Sequence, residues 1–300
     1  MEAASPAEQD TLPSRKDNIM SRTWLVTGAS SGLGRALALA VSEAGERVVA
    51  TVRNPADAAA LEAGCPGLVA LIADLTEAGS PARTVAEAEE RCGPIDVLVN
   101  NAGRGFTAAV EEASDTEVHD VFAINFTAPL HMIQAVLPGM RARREGLILN
   151  VTSISGFKPW SGTGIYCASK FALEGLGQTL AQEVAGFGIR VVNVQPGSLR
   201  TDFNGRSLGA SATTIDAYSE GAHFARHALA RSDGKQSGDP ARAAQAILAV
   251  SRSSAPPMNL VLGKDAVAMA EERIARLNQD LADWAPYSAS IGFDTMASNG

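Results

Sequence analysis

Cysteine is scarce: Cys65, Cys92 and Cys167 are the only three in 300 residues. They lie far apart with no CxxC pair, which excludes a disulfide framework and points to a reducing, cytoplasmic compartment. An excess of basic charge is missing as well. The 25 Lys and Arg against 33 Asp and Glu leave a formal charge of −8, and no basic stripe stands out, which argues against a nucleic-acid partner. No uninterrupted apolar run reaches the roughly 18 residues of a spanning helix, so a membrane span is not expected. Residues 1–21 carry Glu8, Asp10 and Asp17 before any apolar run. That is not the basic start and apolar core of a signal peptide, and the segment reads as a polar tail. The four histidines, His119, His131, His223 and His227, show no zinc-ligand spacing. His223 and His227 share a helix face but have no acid nearby, so no metal site is expected.

What is present is an ordinary globular balance, 46% hydrophobic and 19% charged, with ample material for a buried core. Short runs rich in β-branched residues occur at Thr23–Thr27, Arg47–Val52, Leu68–Ile72, Val97–Asn100, Leu147–Val151, Ile189–Gln195 and Asn259–Leu262. Longer Ala- and Glu-rich stretches with helical spacing separate them, such as Gly34–Ala44 and Ala82–Arg91. Strands that are apolar almost throughout, alternating with helices, predict an α/β fold with a parallel sheet covered on both faces. One unbroken series predicts a single Rossmann-type, doubly wound domain over residues 22–283. Residues 198–238, rich in Ser, Gly, Ala and Thr, break the rhythm after a strand end, where a lid over a ligand crevice belongs. Asp239-Pro240 then reads as an N-cap followed by proline at the first helical position. Residues 284–300, with Pro286, Ser288 and Gly292, read as an irregular tail.

Thr27-Gly28-Ala29-Ser30-Ser31-Gly32-Leu33-Gly34 follows the first strand and opens a helix. Glycines let the backbone turn tightly against an anion, and the helix N-terminus supplies free N–H groups. Ser30 and Ser31 add hydroxyl donors. The spacing is Gly-x-x-x-Gly-x-Gly, not the Gly-x-Gly-x-x-Gly of the standard dinucleotide fingerprint. Further along stand Asn100-Asn101-Ala102-Gly103, Ser153, Tyr166-Cys167-Ala168-Ser169-Lys170 and Pro196-Gly197. In this order, over residues 23–205, these elements resemble the classical short-chain dehydrogenase/reductase family. The resemblance implies a seven-stranded parallel sheet, a nicotinamide cofactor, and oxidation or reduction of an alcohol/carbonyl pair.

Tyr166 and Lys170 are four apart on a predicted helix and share one face. A phenol titrates near pH 10, and an ammonium beside it is expected to lower that value, making Tyr166 a general acid/base. The resemblance gives Tyr166 that role and has Lys170 also bond the nicotinamide ribose. Ser153 follows a strand at the edge where ligands meet an open sheet, and its hydroxyl suits a developing oxyanion. Its thirteen-residue spacing to Tyr166, a family feature, selects it over Thr152, Ser155 and Ser169. Asn125 matches the family's asparagine that holds a relay water; the bare reading is a satisfied core amide.

For the cofactor, the resemblance adds Asn101, Ala102 and Gly103 along the adenosine half, and Asp74 and Leu75 at the adenine, although either group also fits a strand cap. Pro196, Gly197, Leu199 and Thr201 fall in the segment that meets the carboxamide and phosphates. The second strand ends in Val52-Arg53, with no acid to hold a ribose 2′-hydroxyl. A guanidinium there suits a 2′-phosphate, so NADP(H) is favoured and NAD(H) is the alternative. Ser31, where many NADP users carry a basic residue, weighs the other way. Phe157, Trp160 and Phe203 flank the inferred crevice and suggest an apolar carbonyl or alcohol substrate. The resemblance also implies a homodimer or homotetramer, to which the small-residue stretch Phe171–Gly177 lends itself. A non-catalytic cofactor-binding sensor of the same fold is the competing class; it would be expected to lack the Tyr or the Lys.

Overall fold

Seven of the runs that read as strands are strands, and their ends match the reading to within one residue. The computed structural model describes residues 21–293; the expectations for residues 1–20 and 294–300 lie outside it. In chain order the first elements are β1 (Thr23–Val26), α1 (Gly32–Glu43), β2 (Arg47–Val52), α2 (Pro55–Gly64), β3 (Val69–Ile72), α3 (Ser80–Cys92) and β4 (Val97–Asn100). A short strand β5 (Gly105–Thr107), α4 (Asp115–Phe122), α5 (Ala128–Arg143), β6 (Gly146–Val151), α6 (Gly164–Val184) and β7 (Ile189–Pro196) follow. The chain continues with β8 (Leu208–Ala210), α7 (Ala222–Arg231), α8 (Pro240–Ser251), β9 (Asn259–Leu262) and α9 (Lys264–Ala289).

The main sheet is parallel, in the order β3-β2-β1-β4-β6-β7-β9. The order reverses between β1 and β4, the switch point at which an open α/β sheet binds ligands beyond its strand ends. Alternate strand residues feed two cores. Trp24, Val26, Val97, Val99, Leu147 and Leu149 pack on the face covered by α1, α2 and α8. Leu25, Leu98 and Ile148 pack on the opposite face with Val85, Met132, Ile133 and Leu180 of α3, α5 and α6. Both faces are buried, which is why the strands read as apolar throughout.

Local signals set the helix starts. Asn54 accepts from the Asp57 amide at 2.8 Å ahead of Pro55, and Asp239 accepts from the Ala241 amide at 2.8 Å ahead of Pro240, as the sequence predicts. Ser114 and Glu117 form a reciprocal capping box at α4. The helical stretch Asp115–Arg143 has the length and apolarity of a membrane span, but Met132, Ile133, Val136 and Met140 sit inside the second core.

Within segment 198–238, read as a lid, β8 pairs with β5 in a second, two-stranded parallel sheet, and α7 follows. Three-residue strands are too short for periodicity to reveal. Residues 284–289, expected to be irregular, are instead helical, because α9 continues through Trp284 and Pro286 to Ala289. Pro286 falls in its last turn, where losing one N–H leaves only the solvent-exposed carbonyl of Ala282 without its helical donor.

Candidate active site

Strands β1, β2, β3, β4, β6 and β7 end along one edge of the sheet, and the loops leaving that edge carry the residues singled out above. Thr27 organises the first. Its hydroxyl donates to the Val99 carbonyl at 3.1 Å and accepts from the amides of Asn101 and Ala102 at 2.9 and 3.0 Å. Asn101 Nδ2 donates to the carbonyls of Thr27 and Gly28 at 2.9 and 3.0 Å. The Asn101 side chain therefore holds the glycine turn in shape. Gly28 and Gly32 adopt φ of +68° and +59°, which suit glycine. A Cβ on Gly28 would lie 2.8 Å from Ala102 Cα, and one on Gly34 2.3 Å from Asn101 Nδ2.

Ser31 is the N-cap of α1 but makes no side-chain capping bond, leaving the first N–H groups of α1 available to an anion. Ser30 and Ser31 are part-exposed beside it, whereas the Leu33 side chain turns into the core. Thr201 stands over this turn, its Cβ 3.4 Å from where a Cβ on Gly32 would be. A cavity of about 680 Å³ between α1 and α8 reaches Gly32 and Thr201 and has Arg35, Arg200 and Arg242 in its wall. It does not extend to Tyr166 or Ser153. Pro196 ends β7, and Gly197 is crowded by Asp265 of α9: a Cβ would fall 2.5 Å from Asp265 Oδ1. Asp265 Oδ2 accepts from the Ser198 amide at 2.8 Å. Leu199 bridges to Gly238, with the Arg200 amide donating to the Gly238 carbonyl at 2.8 Å.

At the other end of the edge, Asp74 accepts from the hydroxyl and amide of Thr76 at 2.6 and 2.9 Å. These two bonds, and then the charge of nearby Arg53, hold its carboxyl below the usual range. Arg53 itself is exposed immediately after β2. Leu75 points into the second core.

Tyr166 and Lys170 lie one turn apart near the start of α6, as their spacing predicts. Ser153 begins the turn after β6, accepts from the Ser155 amide at 3.1 Å, and its hydroxyl acts to lower the pKa of the Tyr166 phenol. The electrostatics depart from expectation. Burial pushes the Tyr166 phenol up to about 12, partly offset by the Ser153 hydroxyl. The Lys170 ammonium lies 5.9 Å from the phenol ring centroid and donates instead to the Val151 carbonyl at 3.0 Å. Burial lowers Lys170 itself to about 8, although the charge of Glu174 acts to raise it. Desolvation wins for both groups. At neutral pH the phenol keeps its proton and is an acid rather than a ready base.

Asn125 lies in a π turn, Ala123–Thr127, and is fully buried. Its Oδ1 accepts from the Arg104 amide at 2.9 Å; Nδ2 donates to the Arg104 carbonyl at 2.9 Å and to the Ser169 hydroxyl at 3.0 Å. Both amide hydrogens are used, so the side chain acts as the satisfied core amide and fixes the loop after β4. Gly103 fits beneath: a Cβ there would stand 3.0 Å from Asn125 Oδ1 and 3.5 Å from Lys170 Nζ.

Several residues at and around the site escape sequence reading. Asn100 Nδ2 donates to Asn150 Oδ1 at 3.0 Å, and Asn150 Nδ2 to Asn193 Oδ1 at 3.2 Å. Asn193 Nδ2 donates to Glu174 Oε2 at 2.8 Å, and Glu174 also accepts from Thr152. This buried chain crosses three strands and ends one turn beyond Lys170. Asn100 belongs to a motif already singled out in the sequence, whereas the isolated Asn150 and Asn193 carried no signal. His223 does have an acid, but a distant one: its Nε2 is 2.7 Å from Glu112 Oε1. Among the described residues no cluster of His, Cys, Asp and Glu suits a metal ion.

The glycine cradle, the uncapped helix and the close backbone approach at Gly103 fit a bound dinucleotide. Comparison with known proteins agrees. Residues 22–210 match the short chain dehydrogenase family. The chain is 34% identical over 270 residues to oxidoreductase BOA17 of Botryotinia fuckeliana, covering 88% of this chain and 97% of that one. A short-chain dehydrogenase from Streptomyces avermitilis superposes with a TM-score of 0.86 at 37% identity, covering 91% and 99% of the two chains. A Burkholderia phymatum short chain dehydrogenase/reductase in complex with NAD has the same fold, with a TM-score of 0.76 at 21% identity and coverage of 87% and 95%. The chain belongs to the short-chain dehydrogenase family, oxidoreductases that bind nicotinamide dinucleotides.

Proposed function

We propose that the protein interconverts an apolar carbonyl compound and its alcohol with NADP(H), with Tyr166 as the general acid/base. One observation carries the reading: the Tyr166 phenol, influenced by the Ser153 hydroxyl, shares a helix turn with the Lys170 ammonium, which lies against Gly103. When bound, the dinucleotide supplies or accepts the hydride. On reduction, the substrate carbon gains that hydride, and the carbonyl oxygen takes the proton of the Tyr166 hydroxyl. Ser153 donates a hydrogen bond to the same oxygen as charge develops. Lys170, charged below about pH 8, would hold the cofactor ribose, and its charge stabilises the phenolate left after proton transfer.

NADP(H) is favoured over NAD(H) because β2 ends on exposed Arg53 and no acid stands there. An apolar substrate suits the aromatic surroundings. Phe203, from the segment that follows β7, packs against Tyr166 with ring centroids 6.2 Å apart, and Trp160 is 41% exposed nearby, held by a bond to the Ser155 hydroxyl. Segment 198–238 acts as the lid in this reading. All three cysteines are unpaired, which suits a cytoplasmic setting. Phe171, 39% exposed on α6, lies on a helix suited to a homo-oligomer contact. The test is NADPH oxidation against a panel of apolar ketones and aldehydes. Turnover of several members at NADPH-dependent rates is expected; a purified, folded protein that binds NADPH and turns over none of them contradicts the reading.

A further inference from the structure

We propose that α9 is a self-association helix, pairing antiparallel with α9 of a second copy of this chain. From Ile274 to Ala289 every residue except Asp280 is exposed. This length, about 24 Å at 1.5 Å per residue, projects from the domain with almost nothing packed on it. In proteins most helical stability comes from burying an apolar face rather than from propensity. The face exists. Val267, Ala270, Ile274, Leu277, Leu281 and Trp284 recur at alternating steps of three and four, the heptad seam of a coiled coil. Leu281 is 66% and Trp284 62% exposed.

The seam fits its own reverse. Pairing Ile274 with Leu277 of the second copy places Leu281 against Ala270 and Trp284 against Val267, large side chains against small ones in each outer layer. The flanking positions agree: Arg273 comes opposite Asp280 of the second copy, and Glu271 opposite the Asn278 amide, each twice by symmetry. A parallel pair would set Trp284 against Trp284 and gain none of these charge pairs. A lipid surface is disfavoured by composition. Helices that lie on membranes carry a basic polar face, whereas α9 has Lys264, Arg273 and Arg276 against Asp265, Glu271, Glu272, Asp280 and Asp283. The two inner layers lie clear of the domain; in the outer ones, Val267 is exposed and Ala270 half-buried.

The experiment uses the full chain. Sedimentation velocity across concentration is run on the wild type and on the variant Leu277→Glu with Leu281→Glu, with melting temperature and NADPH binding as controls for folding. The dimer dissociation constant is expected to rise by about 100-fold or more, while both controls hold. A second variant avoids dependence on the first. Ala270→Cys with Leu281→Cys should cross-link between chains on oxidation, whereas Leu281→Cys alone, about 16 Å from its symmetry mate along the paired axes, should not. Cross-linking by Leu281→Cys alone overturns the antiparallel pairing. A wild type that is monomeric at tens of micromolar overturns the proposal. So does an assembly unchanged by the glutamates, which places the interface elsewhere. Co-sedimentation of the wild type, but not the glutamate variant, with phosphatidylcholine/phosphatidylserine vesicles would assign the face to lipid and overturn it too.

Discussion

Lys170 Nζ donates to the Val151 carbonyl at 3.0 Å, tying the helix that carries Tyr166 to the end of the interior strand β6. The bond fixes the ammonium in a buried position, and its charge is lost near pH 8. Reduction measured as kcat/KM should therefore fall above about pH 8, approaching tenfold per pH unit. Glu174→Gln removes the charge that raises Lys170, so the limb should move to lower pH. A limb unmoved by that substitution assigns it to another group.

The same shift has a consequence for stability. Unfolded, Lys170 keeps its proton to its ordinary 10.5; folded and cofactor-free, it releases it near 8. The folded state thus binds fewer protons between these values, and stability gains with rising pH across that window. Lys170→Met should lack the gain. Urea midpoints for both chains between pH 7.5 and 10 would show it; parallel curves would contradict the assignment.

Arg53 tests cofactor choice. If its guanidinium pairs with a 2′-phosphate, Arg53→Asp removes a charge-assisted bond of about 1.5–3 kcal/mol. The NADPH-to-NADH ratio of kcat/KM should fall roughly ten- to a hundred-fold. An unchanged ratio would make Arg53 an ordinary solvated charge.

Much of this site was legible because its motifs act locally. The glycine turn, the Tyr166–Lys170 spacing and the Asp239-Pro240 cap each depend on neighbours in sequence, and the structure shows them as read. What stayed hidden depends on tertiary contact. Desolvation of Tyr166 and Lys170, the amide saturation of Asn125, and the Glu112–His223 pair arise only once distant segments pack. The β5–β8 pairing joins residues about a hundred apart through three-residue strands. Pro286 hid the end of α9, because a breaker in a last turn reads the same as a breaker in a loop.

Two glycines make a matched pair of substitutions. Gly34→Ala would drive a methyl to 2.3 Å from Asn101 Nδ2 and 2.6 Å from the Gly28 carbonyl. It should lower both melting temperature and cofactor affinity. Gly175→Ala, in α6 with nothing within 4 Å, should stabilise by about 0.5–1 kcal/mol. Differential scanning calorimetry with cofactor titration checks both, and a benign Gly34→Ala would refute the close packing of the cradle.

The buried amide chain also makes a prediction. Asn150→Ala removes both the acceptor for Asn100 and the donor to Asn193, leaving buried polar groups unpaired. Denaturant unfolding should show a loss of about 1–3 kcal/mol or more. A loss under half of that would mean the chain contributes little.

The central claim is that the Tyr166 hydroxyl delivers the proton. The most direct measurement compares Tyr166→Phe with the wild type in NADPH titration by fluorescence and in turnover of any accepted carbonyl. The ring and its packing against Phe203 remain, so NADPH affinity should barely change. Turnover should fall by about 10²–10⁴-fold, the usual contribution of a positioned general acid. A Tyr166→Phe chain that binds NADPH normally and reduces its substrate at a near wild-type rate would contradict the account.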